Sequence, residues 1–285
     1  MCKPYVKSPL NYTGGKYKML DFLFDLFPQN IDTFVDMFAG GFNVGINVDA
    51  NKIICNDHIN YLIELYEYLK NTETNRIVSD IKRRIKEFNL SLDNDEGYKK
   101  LRERYNKKKN IVDFFVLICY SFNHQIRFNN SHEFNTPFGK DRSCYNENIE
   151  KNLIEFSNLL KIKKVEFSNI DFNNLNYNNL DENDFVYCDP PYLITNGSYN
   201  DGKRGFKDWT EKEEQELLNI LDNLNKKRVK FALSNVFYHK GLENKLLISW
   251  SKKYKVNYID KSYSNCSYHF KDRKAKTVEV LITNY

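Results

Sequence analysis

Short apolar runs of strand character alternate with apolar stripes of helical period near both ends of the chain. This alternation restricts the fold more than any other feature. Strand-like runs cover residues 33–38, 52–56, 165–168, 185–188 and 229–234, and helical stripes lie between most of them. An early stripe (Met19, Phe22, Leu23, Leu26, Phe27) stops near Pro28, and the pair Thr210 and Glu213 reads as a capping box opening a helix through Leu224. A strand, a crossover helix and a further strand imply a mainly parallel sheet with helices on both faces. The last two runs, 255–260 and 277–283, are joined only by a basic loop, so the final strand is expected to run antiparallel. The expected architecture is therefore α/β, with a mixed seven-stranded sheet.

Residues 71–160 break this pattern. Ile77, Ile81, Ile85 and Phe88 form a helical stripe, residues 111–122 are apolar enough for a buried helix, and 123–148 are polar and rich in turn residues. The expected organisation is one sheet domain built from 1–70 and 161–285, with 71–160 as an inserted, mostly helical module. Asn recurs throughout and reads as a compositional habit rather than as disorder.

The net charge is +5, from 43 basic and 38 acidic side chains. That excess is mild, so its distribution decides more than its size. Basic residues gather in 82–109, in Lys226, Lys227, Arg228 and Lys230, and in Lys261, Lys271, Arg273, Lys274 and Lys276. Each cluster alone reads as a solvated face, whereas three in one chain point to a polyanion partner. The six cysteines (Cys2, Cys55, Cys119, Cys144, Cys188, Cys266) form no C-x-x-C pair, so neither a zinc ribbon nor a redox pair is expected, and no metal. The polar, basic start and the lack of an apolar run of about 18 residues suggest a cytoplasmic protein with no membrane partner.

The chemistry concentrates at Asp189-Pro190-Pro191-Tyr192, directly after the run 185–188. The carboxyl end of a parallel strand is where open α/β sheets place ligands. Two prolines remove two backbone donors and leave a stiff turn with bare carbonyls. Asp189 and the Pro190 carbonyl are then acceptors beside the Tyr192 ring. Acceptors without donors suit a group that only donates, such as the exocyclic amine of adenine, whose lone pair is otherwise delocalised into its ring. A rigid turn with Tyr192 in the core is the blander reading. Phe38-Ala39-Gly40-Gly41 follows another strand and would let a ligand approach the backbone. Asp57, after the next strand, is placed either to accept ribose hydroxyls or to cap a helix.

Taken in order, these motifs resemble the Dam-like D12 class of N6-adenine DNA methyltransferases over essentially the whole chain. Ser8-Pro9-Leu10-Asn11-Tyr12-Thr13-Gly14-Gly15-Lys16 is similar to the family's N-terminal motif. The resemblance implies the class I S-adenosylmethionine-dependent methyltransferase fold. It also implies S-adenosylmethionine as co-substrate, held by Tyr12, Lys16, Asp36, Phe38, Gly40, Asp57 and Asp189. Asp189, Pro190, Pro191 and Tyr192 would be the catalytic turn acting on a flipped adenine. Residues 123–129 and 133–139 resemble the DNA-recognition hairpin, which implies contacts to double-stranded DNA from Asn123, Arg127, Asn129, Asn135 and Pro137. Arg127 is the natural reader of a guanine edge, or else a phosphate clamp.

The chain departs from the family at three places: Phe42 stands where a second loop glycine is usual, Asn11 where a basic residue is common, and His124-Gln125-Ile126 where a glycine-containing stretch is frequent. These departures bear on the recognised sequence, for which GATC and CATG both fit, rather than on the reaction. The expected setting is a solitary enzyme or the modification half of a restriction system, with a cognate endonuclease as a genetic partner. RNA adenine methylation and a non-catalytic DNA-binding protein on the same fold are the alternatives.

Overall fold

Successive residues of the central strands point to opposite sides, and both sides are buried. In the computed structural model, which describes residues 5–195, 209–259 and 277–285, Phe34, Phe185, Tyr187 and Leu281 join one apolar cluster and Val35, Val186, Cys188 and Ile282 the other. Strands buried on both faces need helices on both faces, as near-continuous apolar runs foretell.

The strands are β1 (Ile31–Asp36), β2 (Ala50–Asn56), β3 (Val165–Ser168), β4 (Phe185–Cys188), β5 (Lys230–His239), β6 (Leu242–Glu243), β7 (Lys255–Tyr258) and β8 (Val278–Thr283). Their order is β3-β2-β1-β4-β5-β8-β7, with the two-residue β6 paired to the end of β5. β1 to β5 run parallel where they pair, and β8 is antiparallel to both β5 and β7. This is the expected mixed α/β sheet, and β6 is its eighth strand. β6 arises because β5 continues past Ser234 to His239 and folds back at Gly241, whose φ of +87° suits glycine.

One sheet face is covered by α8 (Glu211–Lys226) and α9 (Lys245–Ser251). The other meets α1 (Leu20–Leu26), α2 (Asn43–Asn47), α3 (Asn60–Asn71), α4 (Thr74–Glu87), α5 (Asp95–Lys107), α6 (Ile111–Tyr120) and α7 (Glu147–Ile162). The helices of residues 71–160 share a continuous core with this face, through Tyr66 against Phe156 at 5.7 Å and Tyr61 against Phe114 at 5.0 Å between ring centroids. Sequence periodicity did not reveal α2, α5 or α9. Two are short, and α5 is mostly charged, with a narrow buried stripe of Tyr98, Leu101 and Tyr105.

The recurrent Asn has a structural use. Asn94, Asn110, Asn146 and Asn244 cap α5, α6, α7 and α9 by accepting backbone N–H groups of their first turns. Asn30, Asn89 and Asn123 occupy left-handed backbone positions that Asn tolerates well. Thr210 and Glu213 form the expected capping box of α8. Cys55, Cys119, Cys144 and Cys188 are free thiols, and Cys2, Cys266 and the basic residues of 261–276 lie outside the described residues. Among the described residues no helix is long and apolar enough to cross a membrane.

Candidate active site

From β1 the sheet grows through β2 and β3 to one side and through β4 and β5 to the other. The connection direction thus reverses between β1 and β4, and a crevice opens beyond their carboxyl ends at such a switch point. Asp36 ends β1, and Asp189 follows β4 directly. A cleft lies there, lined by Tyr12, Lys16, Asp36, Phe38, Gly40, Asp57 and the whole turn Asp189-Pro190-Pro191-Tyr192. Every residue assigned above to cofactor or catalysis therefore faces one cavity.

At one end, Lys16 Nζ pairs with Asp189 Oδ2 at 2.8 Å, with side-chain exposures of 5% and 18%. Lys16 also donates to the Gly14 carbonyl at 3.0 Å and lies 5.3 Å from the Tyr192 ring centroid. The Tyr192 hydroxyl donates to Asp189 Oδ1 at 3.0 Å. Burial, with the Asp189 charge next, pushes the Tyr192 pKa well up, so its hydroxyl stays protonated as a donor. The Asp189 carboxylate is thus held through both oxygens, by Lys16 from the N-terminal segment and by Tyr192 three residues further on.

At the other end, Asp57 Oδ2 accepts from Gly40 N at 2.7 Å and Oδ1 from Ile59 N at 2.9 Å. Asp57 thus ties the turn that leads into α3, whose N-cap is Ile59, and lines the cleft. The Tyr66 hydroxyl donates to the Gly40 carbonyl, fixing the loop from the opposite side. A Cβ on Gly40 would sit 2.9 Å from the Tyr12 ring, at a φ of +47°, so this position needs glycine on both counts. Between the two ends, Asp36 Oδ2 accepts from Gly45 N at 3.1 Å. Burial raises its pKa to about 8, against the lowering effect of that hydrogen bond and with smaller contributions from Asp189 and Asp57.

Phe42 shows why a glycine is usual there. Its φ is +54°, a left-handed conformation that costs a side-chain-bearing residue roughly 1–2 kcal/mol. Phe42 is nevertheless fully buried, against Tyr66 at 5.7 Å and Phe156 at 6.4 Å. The ring leaves no room at Gly45, where a Cβ would fall 2.2 Å from it. Core packing around the ring offsets the backbone strain.

Residues 123–139 form a separate feature. Asn123 lines a second concavity with Asn11, Tyr12, His124 and Arg142, so Tyr12 borders both cavities. Asn11 Nδ2 donates to the Asn123 carbonyl at 3.2 Å, joining the N-terminal segment to this loop. Asn123 and His124 both have left-handed backbone, with φ of 53° and 54°. Phe128 bridges to Phe134 in an antiparallel turn, where Asn129 accepts from Ser131 N and Glu133 N and donates to Glu133 Oε2. The Asn129 amide thus holds the turn itself. Arg127 and Asn135 are exposed neighbours across the hairpin, joined by a 3.0 Å bond from Asn135 N to the Arg127 carbonyl. The carbonyl of Pro137, itself exposed, accepts from Phe122 N at 2.8 Å. Arg127, Asn129, Asn135 and Pro137 line neither cavity.

Sequence reasoning missed the aromatic wall of the cleft. Phe172 and Trp209 line it beside Phe38, with ring centroids 5.4 Å apart for Phe172–Trp209 and 5.6 Å for Phe38–Trp209. Asp171 and Phe172 lie just beyond β3, so the signal available was a third acid after a strand, repeating Asp36 and Asp57. Trp209 is oriented by Glu214, which also receives the Asn235 and Asn244 amides.

A model of the D12 class N6 adenine-specific DNA methyltransferases matches residues 12–277. The type II methyltransferase M.FokI of Planomicrobium okeanokoites is 54% identical over 281 residues, 99% of this chain and 43% of that protein. The modification methylase StsI of Streptococcus sanguinis is 49% identical over 285 residues, again 99% of this chain and 43% of that protein. The DNA adenine methylase of Escherichia coli (strain K12) is 27% identical over 232 residues, 79% of each chain. This chain spans less than half the length of the first two relatives. With the family's motifs lining one cleft and its model covering nearly the whole sequence, the chain belongs to the D12 class of N6 adenine-specific DNA methyltransferases.

Proposed function

We propose that the chain methylates N6 of a target adenine in a short duplex DNA site, taking the methyl group from S-adenosylmethionine. The observation that carries this reading is the Lys16–Asp189–Tyr192 arrangement at one end of a cleft whose other end is the Gly40–Asp57 loop. Membership of the family implies S-adenosylmethionine as the methyl donor.

The residues present fit that molecule. Gly40 keeps the loop free of a Cβ beside Tyr12. The Asp189 carboxylate suits its positive charges, and a cation bound beside the buried Asp36 carboxyl would favour release of its proton. Asp57 has lone pairs left for ribose hydroxyls, and the Phe38–Phe172–Trp209 wall suits a flat ring. When bound, S-adenosylmethionine supplies an electrophilic methyl group. Asp189 and the Pro190 carbonyl accept the two hydrogens of the target amine and stabilise the positive charge that develops on its nitrogen. Lys16 holds the Asp189 carboxylate in place, and Tyr192 offers a ring face for the extruded base.

On the DNA side, Asn123, Arg127, Asn129, Asn135 and Pro137 belong to the proposed recognition surface, with the segment 71–160 as its support. Arg127 would read a guanine edge, Asn123 would lie near the flipped base, and Asn129 would act by shaping the hairpin. The names of the relatives, a type II methyltransferase and modification methylases, favour a restriction-modification setting with a cognate endonuclease as genetic partner.

The test is incubation with labelled S-adenosylmethionine and either plasmid DNA or total RNA, followed by mapping of N6-methyladenine. Label at one short DNA sequence is the expected result. Label confined to RNA, or no label, would overturn the proposal.

A further inference from the structure

Within the cleft both oxygens of Asp189 are engaged, Oδ2 by Lys16 at 2.8 Å and Oδ1 by the Tyr192 hydroxyl at 3.0 Å. An amine that needs Asp189 as acceptor must share an oxygen with a donor already there, and Oδ1, held by a neutral hydroxyl rather than by the buried Lys16 cation, is the one that can be freed. A carboxylate oxygen has lone pairs for two donors, but each one draws on the same negative charge. The amine would then meet a weakened acceptor at the point where charge stabilisation matters most.

The Tyr192 oxygen has a second acceptor within reach. Glu279 Oε1 lies 3.4 Å away. Glu279 is the second residue of β8, opposite Val236 of β5 and next to the β-bulge between Val236 and Tyr238. Its backbone is tied on the other side by a 3.2 Å bond from Ile259 N. The strand therefore fixes where this carboxylate stands. One phenolic proton can serve only one strong acceptor at a time, and choosing between the two requires only rotation about the Cζ–O bond. The ring, on which the base would stack, stays where it is.

We propose that Glu279 is a positioning residue for Tyr192: it takes the hydroxyl hydrogen bond when the target amine arrives, leaving Asp189 Oδ1 for the amine. No covalent change is involved, only the exchange of one acceptor for another. The inference rests on the amine-methylation reading above.

The test is single-turnover methylation of duplex DNA by wild type, Glu279→Ala, Glu279→Gln, Tyr192→Phe and the double variant Glu279→Ala/Tyr192→Phe, with S-adenosylmethionine binding to each measured by calorimetry. Loss of one acceptor in the transition state should slow Glu279→Ala about tenfold with cofactor affinity kept. Glu279→Gln, which keeps a carbonyl acceptor, should be slowed less. Adding Tyr192→Phe to Glu279→Ala removes the competing hydroxyl and should restore the rate to that of Tyr192→Phe alone. If Glu279→Ala matches wild type, or if its defect persists undiminished in the Tyr192→Phe background, Glu279 does not act through Tyr192. If wild type itself methylates no adenine, the reading of the site fails and this inference with it.

Discussion

Asp36 and Asp189 occupy one cleft under different constraints, and substitution should separate them. Asp36 keeps its proton in the folded state up to a pKa of about 8 because burial disfavours its charge. Between about pH 4 and 8 the unfolded chain has released that proton and the folded chain still holds it, so stability falls as pH rises, by up to ~1.4 kcal/mol per pH unit for one proton. Asp57, raised also by burial, adds a contribution of the same sign. Urea unfolding at pH 5.5 and 8.5 should show the decline in wild type and a shallower one in Asp36→Asn; equal slopes would place the Asp36 titration outside this range. Asp189 is different because Lys16 is buried against it. Asp189→Ala would strand that cation at a cost of about 3 kcal/mol, so Asp189→Asn is the cleaner probe. It should reduce methyl transfer by at least about 10³-fold while DNA affinity, which comes mostly from phosphates, holds in a filter-binding assay.

At the scale of elements, the β1–α2 loop and the 123–139 hairpin make distinct demands. Phe42→Gly would relieve roughly 1–2 kcal/mol of left-handed strain but forfeit about 3–5 kcal/mol of aromatic burial. A net loss of about 1–4 kcal/mol by urea denaturation follows from that balance; a stabilised variant would mean that strain outweighs packing there. In the hairpin, Arg127 is exposed whereas the Asn129 amide is spent on the turn. Arg127→Ala should relax the requirement for one guanine across a panel of single-base site variants, since a bidentate pair discriminates by about 1–3 kcal/mol. Asn129→Ala should slow all variants alike. A uniform loss in Arg127→Ala would identify a phosphate clamp instead.

For the molecule as a whole, the charge distribution decides how polyanion binding responds to salt. Along α5, Lys99 and Lys100 are paired with Asp95 and Glu96 one turn earlier, and Arg104 is bound by Asp113 and Glu87. The exposed Lys pairs add little to stability and Arg104 is held by the buried Asp113, but together these pairs neutralise much of what reads in sequence as a basic run. Lys107 and Lys108, exposed at and just past the carboxyl end of α5, are better placed for phosphates. Replacing both by Gln should lower the slope of log affinity against log salt by about one to two, with no change in site preference. The pair Lys99→Gln and Lys100→Gln should change it less, and the opposite ranking would relocate the DNA path.

The seven main strands, most of the longer helices, the turn Asp189–Tyr192, the glycine loop and Asp57 were legible in the sequence, whereas α2, α5, α9 and β6 were not. Their signals are local: apolar period, fixed proline φ, and an acid at a strand end. Even the class of the sheet followed, because crossover length dictates parallel pairing. Other features became visible only once the chain had folded. Lys16 meets Asp189, and Glu279 reaches Tyr192, across long stretches of sequence that carry no trace of the contact. The Phe38–Phe172–Trp209 wall brings together three strand ends and loops in the same way. The pairing that silences much of the basic run, and the burial that lifts Asp36, are likewise properties of packing. Local sequence sets what each segment prefers. Which side chains share a low-dielectric cleft is set by sheet order, and sheet order is decided by burying both faces at once.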